Sequence, residues 1–204
     1  MALPVANIAI APEGLKSSQL TTVGLNGLTA WRAVDEAALV PGEVLVIVGA
    51  AGSVGGFALE LAVARRIRVI AVAAERDPET ILSLGASDVI AREDGPIGAG
   101  VRKIVPGGAD VLIDTASVAA PALEAIRDGG RYVTTTVAPD PVRKITIGRI
   151  YGVPNAPALA TLMGMAATGM LHTPVAREFD VSEAQAAYEE FGARPHYGRI
   201  VLTF

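Results

Sequence analysis

The sequence predicts an α/β fold built on a doubly wound parallel sheet. Two observations lead to this class. Apolar runs with the length of a buried strand alternate along the chain with segments that have the spacing of a helix. The first of these runs passes through four glycines directly into a helical segment, in the stretch "VIVGAAGSVGGFALELA" of residues 46–62. Strands that alternate with helices in this way form parallel sheets, and a hydrophobic content of 51% supplies the core that such a sheet needs.

Each element is predicted from its own residues. Residues 43–50 form a continuous apolar run, typical of a strand covered on both faces, and residues 56–66 have helical spacing with a basic last turn. A second strand (68–74) precedes a short helix that Asp77 and Pro78 open and Gly85 closes. Further strands are predicted at "DVIA", "ADVLIDTA", "GRYVTTT", "RKITIGRIYG" at the sheet edge and "GRIVLTF", and further helices at "PALEAIRDGG" (121–130), "APALATLMGMAATGM" and "SEAQAAYEEFG", the last with Ser182 as its N-cap.

Composition excludes several classes of function. A net charge of -4 without a basic run argues against binding to nucleic acid. The chain has no cysteine and two histidines that lie far apart in sequence, so no metal site is predicted. Residues 44–64 are apolar, but Glu60 and repeated glycines interrupt them, which argues against a membrane span. The first residues lack the cationic segment of a secretory signal. We therefore expect a soluble, cytoplasmic protein.

The glycines of residues 49–55 lie where a strand must turn tightly into a helix. This junction is the place at which a β-α-β unit binds the pyrophosphate of a dinucleotide, because bare backbone and a helix N-terminus approach the charge there. Gly52 would allow the close approach and Gly55 the packing of helix on strand, while Ala50 stands at the position of the first glycine of the motif. The predicted pyrophosphate contacts are Ala50, Gly52, Ser53, Val54 and Gly55.

Two other interpretations of the same loop stay open. Residues 51–55 also fit a nucleophile elbow, with Ser53 as the nucleophile and His172 or His196 as the base. A hydrolase sheet needs several strands ahead of its elbow, however, and the segment before this loop has little strand signal. The other interpretation is a helix N-terminus packed with small residues that binds no ligand.

Several motifs together carry a family resemblance. The stretch from "LTTVGLNGLTAW" through the glycine loop, "LGASDVI", "GADVLIDTA", "GGRYVTTT" and the ending "YGRIVLTF" resembles the zinc-independent medium-chain dehydrogenases/reductases, especially their quinone oxidoreductase and enoyl reductase branch. The resemblance extends from about Pro12 onward and implies a Rossmann domain that binds NADPH or NADH. It also implies that Thr115 and Ala116 lie near the cofactor and that residues 134–136, Thr134 first, lie close to the nicotinamide ribose.

The chain departs from that family at its beginning. Family members carry a large substrate-binding domain ahead of the segment that resembles "IAPEGL", and here residues 1–11 stand in its place. In the family the C-terminal segment returns to that domain. We therefore expect residues 175–179 and 199–204 to pair with residues 5–10 as a small remnant sheet formed by the two termini. In this interpretation residues 1–204 are a single Rossmann-type domain, of which 1–11 and 175–204 are the remnant of a catalytic domain.

The cofactor is expected to be NADP, with NAD as the alternative. Ala73 and Ala74 end the second strand and leave room for a 2′-phosphate, which Arg76 could bind. Glu75 favours NAD instead, because a carboxylate in this region holds the ribose hydroxyls. The phosphate-binding lysine of the resembled family has no counterpart here. A further alternative is a pocket that no longer holds a dinucleotide.

Few residues are candidates for chemistry. By resemblance, Asn26 lies where the family approaches the nicotinamide, and its amide could bind a substrate carbonyl; as a polar residue between glycines it could equally serve a turn. Tyr151, with Asn155 beside it, could line the same opening and donate a proton, or Tyr151 could simply pack at a core or an interface. Asp114 ends a strand where ligands collect, or caps the turn that follows.

Two functions from different classes follow. The first is an NADP(H)-dependent reductase of an activated alkene, quinone or carbonyl, working with a minimal pocket or with a partner chain that supplies the missing domain. The second is a non-redox cyclase or isomerase of specialised metabolism that uses an enlarged cleft; a catalytically silent binding protein is a third possibility. The partner in either enzyme is a small-molecule substrate. The apolar strand 144–150 predicts a homodimer, because an exposed edge tends to pair.

Overall fold

The computed structural model describes residues 3–74, 78–193 and 198–204. Its main sheet has six strands, all paired in parallel, in the order β3-β2-β1-β4-β5-β6. This is the doubly wound arrangement that the sequence predicts. The strands are β1 (Val44–Val48), β2 (Arg68–Ala73), β3 (Asp88–Ala91), β4 (Ala109–Asp114), β5 (Ile126–Thr134) and β6 (Thr146–Arg149).

Helices lie between most of these strands in sequence, and other helices precede the first strand and follow the sixth. They are α1 (Ser17–Glu36), α2 (Ser53–Ala64), α3 (Pro78–Ser83), α4 (Ile97–Ile104), α5 (Ala156–Ala167) and α6 (Ala184–Ala193). Short 3-10 helices lie at Val5–Asn7, Arg92–Asp94, Ala120–Ala125 and Val181–Glu183. No helix in the described part of the chain combines the length and the apolar character needed to cross a membrane.

The centre of the sheet is formed by the strands with the most continuous apolar sequences. Residues 45–48 of β1 and 111–113 of β4 are fully buried. A strand covered on both faces has no polar side to present, which is why these runs lack the alternation of a half-exposed strand. The strand order reverses between β1 and β4, and ligands bind outside the carboxyl ends of strands at such a switch point.

Two local predictions about element ends are wrong. The helix predicted at 121–130 is only the 3-10 helix Ala120–Ala125, because β5 already begins at Ile126. Gly129 takes a φ of +69, which no helix tolerates, and a Cβ on Gly130 would lie 2.7 Å from the Asp110 carbonyl oxygen of β4. Gly130 therefore allows the close pairing of β5 with β4, whereas Gly129 allows the positive φ just before it.

The second error concerns the cap ahead of α6. Asp180, not Ser182, is the capping residue: its carboxylate accepts the Ser182 N–H, and the Glu183 side chain returns to the Asp180 N–H to complete a capping box.

A second, two-stranded parallel sheet is present, but its strands come from only one end of the chain. It consists of β7 (Val175–Asp180) and β8 (Arg199–Thr203). The predicted third partner, residues 5–10, is not in it. Residues 5–7 form a 3-10 helix, and the N–H groups of Asn7 and Ile8 donate to Pro4 and Val5 carbonyls instead of to a strand. Local hydrogen bonding thus removes these donors from sheet formation.

The described residues group into two compact units. One contains the six-stranded sheet and spans residues 29–151, and the other combines residues 3–28 with the described part of 152–204, including the two-stranded sheet. Helix α1 contributes residues to both units. The prediction that residues 1–204 form a single domain stays a prediction.

The amino ends of β1 and β4 are joined by the side chain of Asp110. Its carboxylate accepts a hydrogen bond from the Val44 N–H at 2.8 Å and another from the Arg127 guanidinium at 2.7 Å. Burial by itself raises the pKa of this carboxyl. The two hydrogen bonds and the positive charge of Arg127 outweigh that effect, so the pKa of Asp110 lies below its ordinary value of 3.8.

We expect Asp110→Asn to lower the free energy of unfolding at neutral pH by about 1 kcal/mol, because a partly exposed charged hydrogen bond is lost. A carboxyl whose pKa is lower in the folded state stabilises fully above its unfolded value of 3.8, and this stability is lost as the pH falls through the folded pKa. The difference between variant and wild type should therefore shrink in acid. Urea unfolding at about pH 7 and about pH 3 measures it; an equal difference at both values would contradict this account.

Strand β6 is the last strand in the order of the six-stranded sheet and therefore lies at its edge, which confirms the predicted position. Its first and last residues, Thr146 and Arg149, are exposed. Pairing of two copies through this edge stays a prediction. We expect light scattering at micromolar concentration to give about twice the chain mass of 20.9 kDa. The mass of one chain would contradict the dimer.

Candidate functional site

The loop between β1 and α2 turns within four residues at the switch point of the sheet. Gly49 opens it with a φ of +83, a conformation that favours glycine. The N–H groups of Gly49 and Ala50 both donate to the Val72 carbonyl of β2, at 3.0 and 3.2 Å, and the Gly52 N–H returns to the Gly49 carbonyl at 2.9 Å. These bonds fix the turn and aim the start of α2 at the carboxyl edge of the sheet.

The first turn of α2 has backbone N–H groups with no acceptor within the helix. Gly52 is the N-cap and, having no side chain, supplies no capping hydrogen bond. The first bond along the helix is donated by the Gly56 N–H to the Gly52 carbonyl, so the N–H groups of residues 53–55 precede the ladder. Gly52 is exposed, and Ser53 and Val54 are partly exposed. A helix N-terminus with these groups is suited to bind an anion.

Gly55 brings the helix close to the strand that precedes it. A Cβ at this position would lie 2.2 Å from the Gly49 carbonyl oxygen and 2.8 Å from its carbonyl carbon. Both atoms belong to backbone, which cannot move aside as a side chain can. Position 55 therefore requires glycine, as expected for the third glycine of a dinucleotide loop. Ala50, a residue of the same loop, is fully buried.

Thr115 lies directly beside the glycine loop. It follows β4, and its hydroxyl donates to the Val48 carbonyl at 2.8 Å. A Cβ on Gly49 would be 2.6 Å from the Thr115 Oγ1 and 3.1 Å from the Ala116 Cβ. The structure thus brings the loop after β4 into contact with the loop after β1, although Thr115 and Val48 are 67 residues apart in sequence.

Thr134 ends β5, and its side chain points into the protein. The residue is fully buried, and its hydroxyl accepts the Thr136 N–H at 3.0 Å and lies 3.4 Å from the Asp114 carbonyl oxygen. Residues 135 and 136 are partly exposed. The predicted contact of residue 134 with a ribose stays a prediction, and its hydroxyl is already committed within the chain.

Asp114 caps the turn that follows β4. Its carboxylate accepts the N–H groups of Ala116 and Ala119 at 2.8 and 2.9 Å and the hydroxyl of Tyr132 at 2.6 Å. Asp114 and Tyr132 are both fully buried. Burial, together with the hydrogen bond to Asp114 and its negative charge, raises the pKa of the Tyr132 hydroxyl far above its ordinary value. The sequence pattern did not reveal Tyr132.

The two candidates for chemistry have different surroundings. Asn26, in α1, is only 5% exposed, and its Nδ2 has no hydrogen-bond partner among the described residues. Tyr151 follows β6 and is 58% exposed, with the Arg149 guanidinium 4.9 Å from its ring centre. Asn155 is the N-cap of α5, where its side chain accepts the Ala158 N–H. The catalytic roles of Asn26 and Tyr151 stay predictions.

The residues predicted to choose between the cofactors are only partly described. Ala73 is buried at the end of β2, and Ala74 is partly exposed. Glu75 and Arg76, on which the prediction depends most, lie outside the described residues.

The context of a hydrolase is missing around Ser53. Residues 3–43 form a 3-10 helix and α1 and contain no strand, so the strands that a nucleophile elbow requires ahead of it are not found there. His196 lies outside the described residues. In the described ranges no group of three His, Asp or Glu side chains could hold a metal ion.

Comparison with known proteins places this fold in a family. A family model described as zinc-binding dehydrogenase matches residues 84–202, which is more than half of the chain. The chain belongs to this family. These dehydrogenases are medium-chain dehydrogenases/reductases, and the matched region is that of their C-terminal NAD(P)-binding domain. The predicted family is thereby confirmed, whereas zinc independence and the quinone oxidoreductase or enoyl reductase branch stay predictions.

Individual members show how much of a dehydrogenase the chain represents. The human mitochondrial NAD(P)H oxidoreductase RTN4IP1 is 30% identical over 171 residues, which are 80% of this chain and 39% of that protein. Alcohol dehydrogenase 2 of Caenorhabditis elegans is 33% identical over 111 residues, 52% of this chain and 32% of its own. The crystal structure of AibC has a TM-score of 0.89 and 26% identity, covering 98% of this chain and 65% of AibC. The chain therefore spans less than two thirds of each of these relatives.

Proposed function

We propose that this member of the dehydrogenase family is an NADP(H)-dependent reductase of an activated alkene, quinone or carbonyl. The observation that carries the proposal is the β1–α2 loop, whose backbone and uncapped first helical turn form an anion site at the switch point of the sheet. The human relative, an NAD(P)H oxidoreductase by name, supports the same chemistry.

The glycine loop would hold the pyrophosphate. The N–H groups of Ser53, Val54 and Gly55 point out of the first turn of α2, where the helix dipole favours negative charge. The dinucleotide supplies hydride transfer when bound. In a doubly wound sheet its adenine half extends toward β2 and its nicotinamide half toward β4 and β5. Thr115, beside the loop, and residues 135–136 are then the neighbours of the nicotinamide half.

A preference for NADP follows from the end of β2. Ala73 and Ala74 carry the smallest side chains with a Cβ, which leaves space for a 2′-phosphate on the adenine ribose. Arg76 supplies a positive charge two residues later in sequence. We expect Arg76→Ala to weaken the binding of NADPH more than the binding of NADH.

One side chain of the unit that contains the six-stranded sheet is proposed for the substrate. Tyr151 is 58% exposed and follows β6, at the carboxyl edge of the sheet where ligands bind, and its hydroxyl would donate the proton that completes a reduction. The Nδ2 of Asn26 lacks a partner among the described residues, and the predicted role of Asn26 as a donor to a carbonyl stays a prediction. A partner chain that completes the pocket stays a proposal.

Calorimetric titration tests the function. We expect saturable binding of NADPH and NADH, with NADPH the tighter ligand, followed by loss of NADPH absorbance when a quinone or an enoyl thioester is added. A folded protein that binds neither dinucleotide would contradict the reductase. Turnover of a bulky apolar substrate by such a protein would instead favour the cyclase or isomerase.

A further inference from the structure

The loop of residues 115–119, which follows β4, is held in an unusual conformation. Ser117 has a φ of +60, and Ala119 has a φ of +57 with a ψ of -127. Residues with a Cβ rarely adopt such angles, and they keep them only where other contacts hold the backbone in place. Ala116 and Ser117 are exposed, so burial of their side chains does not provide that hold.

Val118 packs against the core cluster that contains Tyr132, and the hydrogen bonds that hold the loop backbone come from Asp114. One carboxylate oxygen accepts the Ala116 N–H at 2.8 Å, and the other accepts the Ala119 N–H at 2.9 Å, so a single side chain fixes both ends of the loop. The Tyr132 hydroxyl donates to the second oxygen at 2.6 Å and orients the carboxylate. Both side chains are fully buried, where hydrogen bonds to a charged group are strong.

This loop touches the proposed pyrophosphate site. Thr115 donates to the Val48 carbonyl, and the space at Gly49 is so narrow that a Cβ there would lie 2.6 Å from the Thr115 hydroxyl oxygen. A change in the backbone of residues 115–119 therefore alters the wall beside the glycine loop. That wall is on the β4 side of the switch point, opposite the β2 side that receives the adenine half of a dinucleotide.

We propose that the buried pair Asp114–Tyr132 positions the 115–119 loop for the nicotinamide half of the dinucleotide. This inference rests on the proposed function. Both residues act as positioning residues, because their side chains are fully buried and act through the backbone of the loop.

A titration with a whole and a partial ligand tests the inference. NADPH has both halves, whereas 2′,5′-ADP has only the adenine half. We expect Asp114→Asn and Tyr132→Phe to raise the Kd for NADPH roughly tenfold, the effect of one weakened charge-assisted hydrogen bond, and to leave the Kd for 2′,5′-ADP unchanged. By NMR, the amides of Ala116 and Ala119 should exchange with solvent faster in both variants.

Two further variants separate positioning from general stability. In Ala119→Gly, glycine tolerates the φ of +57 and ψ of -127 at position 119 without help from Asp114. The double variant Asp114→Asn/Ala119→Gly should therefore bind NADPH more tightly than Asp114→Asn alone. Val34→Ala is the stability control: it removes packing at a fully buried position of α1 that is not part of the core cluster against which Val118 of the loop packs, and it should leave both affinities unchanged.

The possible results are distinct. A wild type that binds neither ligand rejects the proposed function, and the positioning role with it. If the wild type binds both, equal losses for NADPH and 2′,5′-ADP in the variants, or no loss of NADPH, overturn the positioning role and leave the function standing. Should Asp114→Asn not fold, Tyr132→Phe decides by the same criteria.

Discussion

We expect Gly52→Asp to abolish the binding of NADPH and NADH while the protein stays folded. Gly52 has φ -79 and ψ 162, extended angles that any residue adopts, and a Cβ there would lie 3.2 Å from the Gly49 carbonyl oxygen, so only a small adjustment is needed. Aspartate is a favourable N-cap. Its carboxylate would accept the N–H groups of the first turn of α2, which are the donors proposed for the pyrophosphate, and would repel that group as well.

Binding and stability should therefore respond in different ways. Calorimetry should show affinity reduced by at least about 100-fold, the loss of a well-placed charged interaction with added repulsion. The Tm should be equal to that of the wild type or about one degree higher, since an aspartate N-cap is more favourable than a glycine N-cap by only about a few tenths of a kcal/mol. Gly52→Asn is the matched control, with the same size and no charge, and should lose less affinity. Wild-type affinity in Gly52→Asp would mean that the pyrophosphate binds elsewhere.

The second large effect is expected at Gly55. In Gly55→Ala the new methyl group would lie 2.2 Å from the Gly49 carbonyl oxygen, and α2 must move away from β1 to accommodate it. We expect the free energy of unfolding to fall by about 2–4 kcal/mol, as for other overpacked or strained core sites. Dinucleotide affinity should fall too, because the first turn of α2 is displaced. Urea unfolding and calorimetry measure the two effects.

Gly56→Ala is the control for this substitution. Position 56 is the next residue of the same helix, and a Cβ there would be 3.6 Å from the Ala50 carbonyl oxygen, an ordinary contact. Since alanine favours a helix over glycine by up to about 1 kcal/mol, this variant should be as stable as the wild type or more stable. Equal destabilisation at both positions would show that close packing at residue 55 is not the cause.

The sequence predicted most of the sheet because its strands differ chemically from what surrounds them. Runs such as residues 44–48 and 111–113 have no polar face, and only a strand between two layers accommodates that. Prediction failed where a local preference competed with a distant partner. Residues 126–130 have a helical pattern, but pairing with β4 makes them strand. Residues 5–10 were expected to pair in a sheet because of the family resemblance, but hydrogen bonds within the segment make part of it a 3-10 helix.

The same distinction applies to the candidate site. The glycine loop could be predicted because its function depends on backbone geometry within seven consecutive residues, and glycine leaves a direct trace in the sequence. Asp114 was visible as a polar residue at the end of a strand, but its partner Tyr132 was not. The two are 18 residues apart, and only the register of β4 and β5 brings the hydroxyl to the carboxylate.

What the sequence alone determined is therefore the parallel sheet, its switch point and the loop that lies there, all of which follow from hydrophobic periodicity and from glycine. What only the tertiary structure decided is which polar groups are already satisfied. It committed the hydroxyl of Thr134 and the carboxylate of Asp114 to internal hydrogen bonds and left Asn26 Nδ2 without a partner among the described residues. The physical reason is that a buried polar group must find its partner in space, and its distance along the chain places almost no limit on that choice.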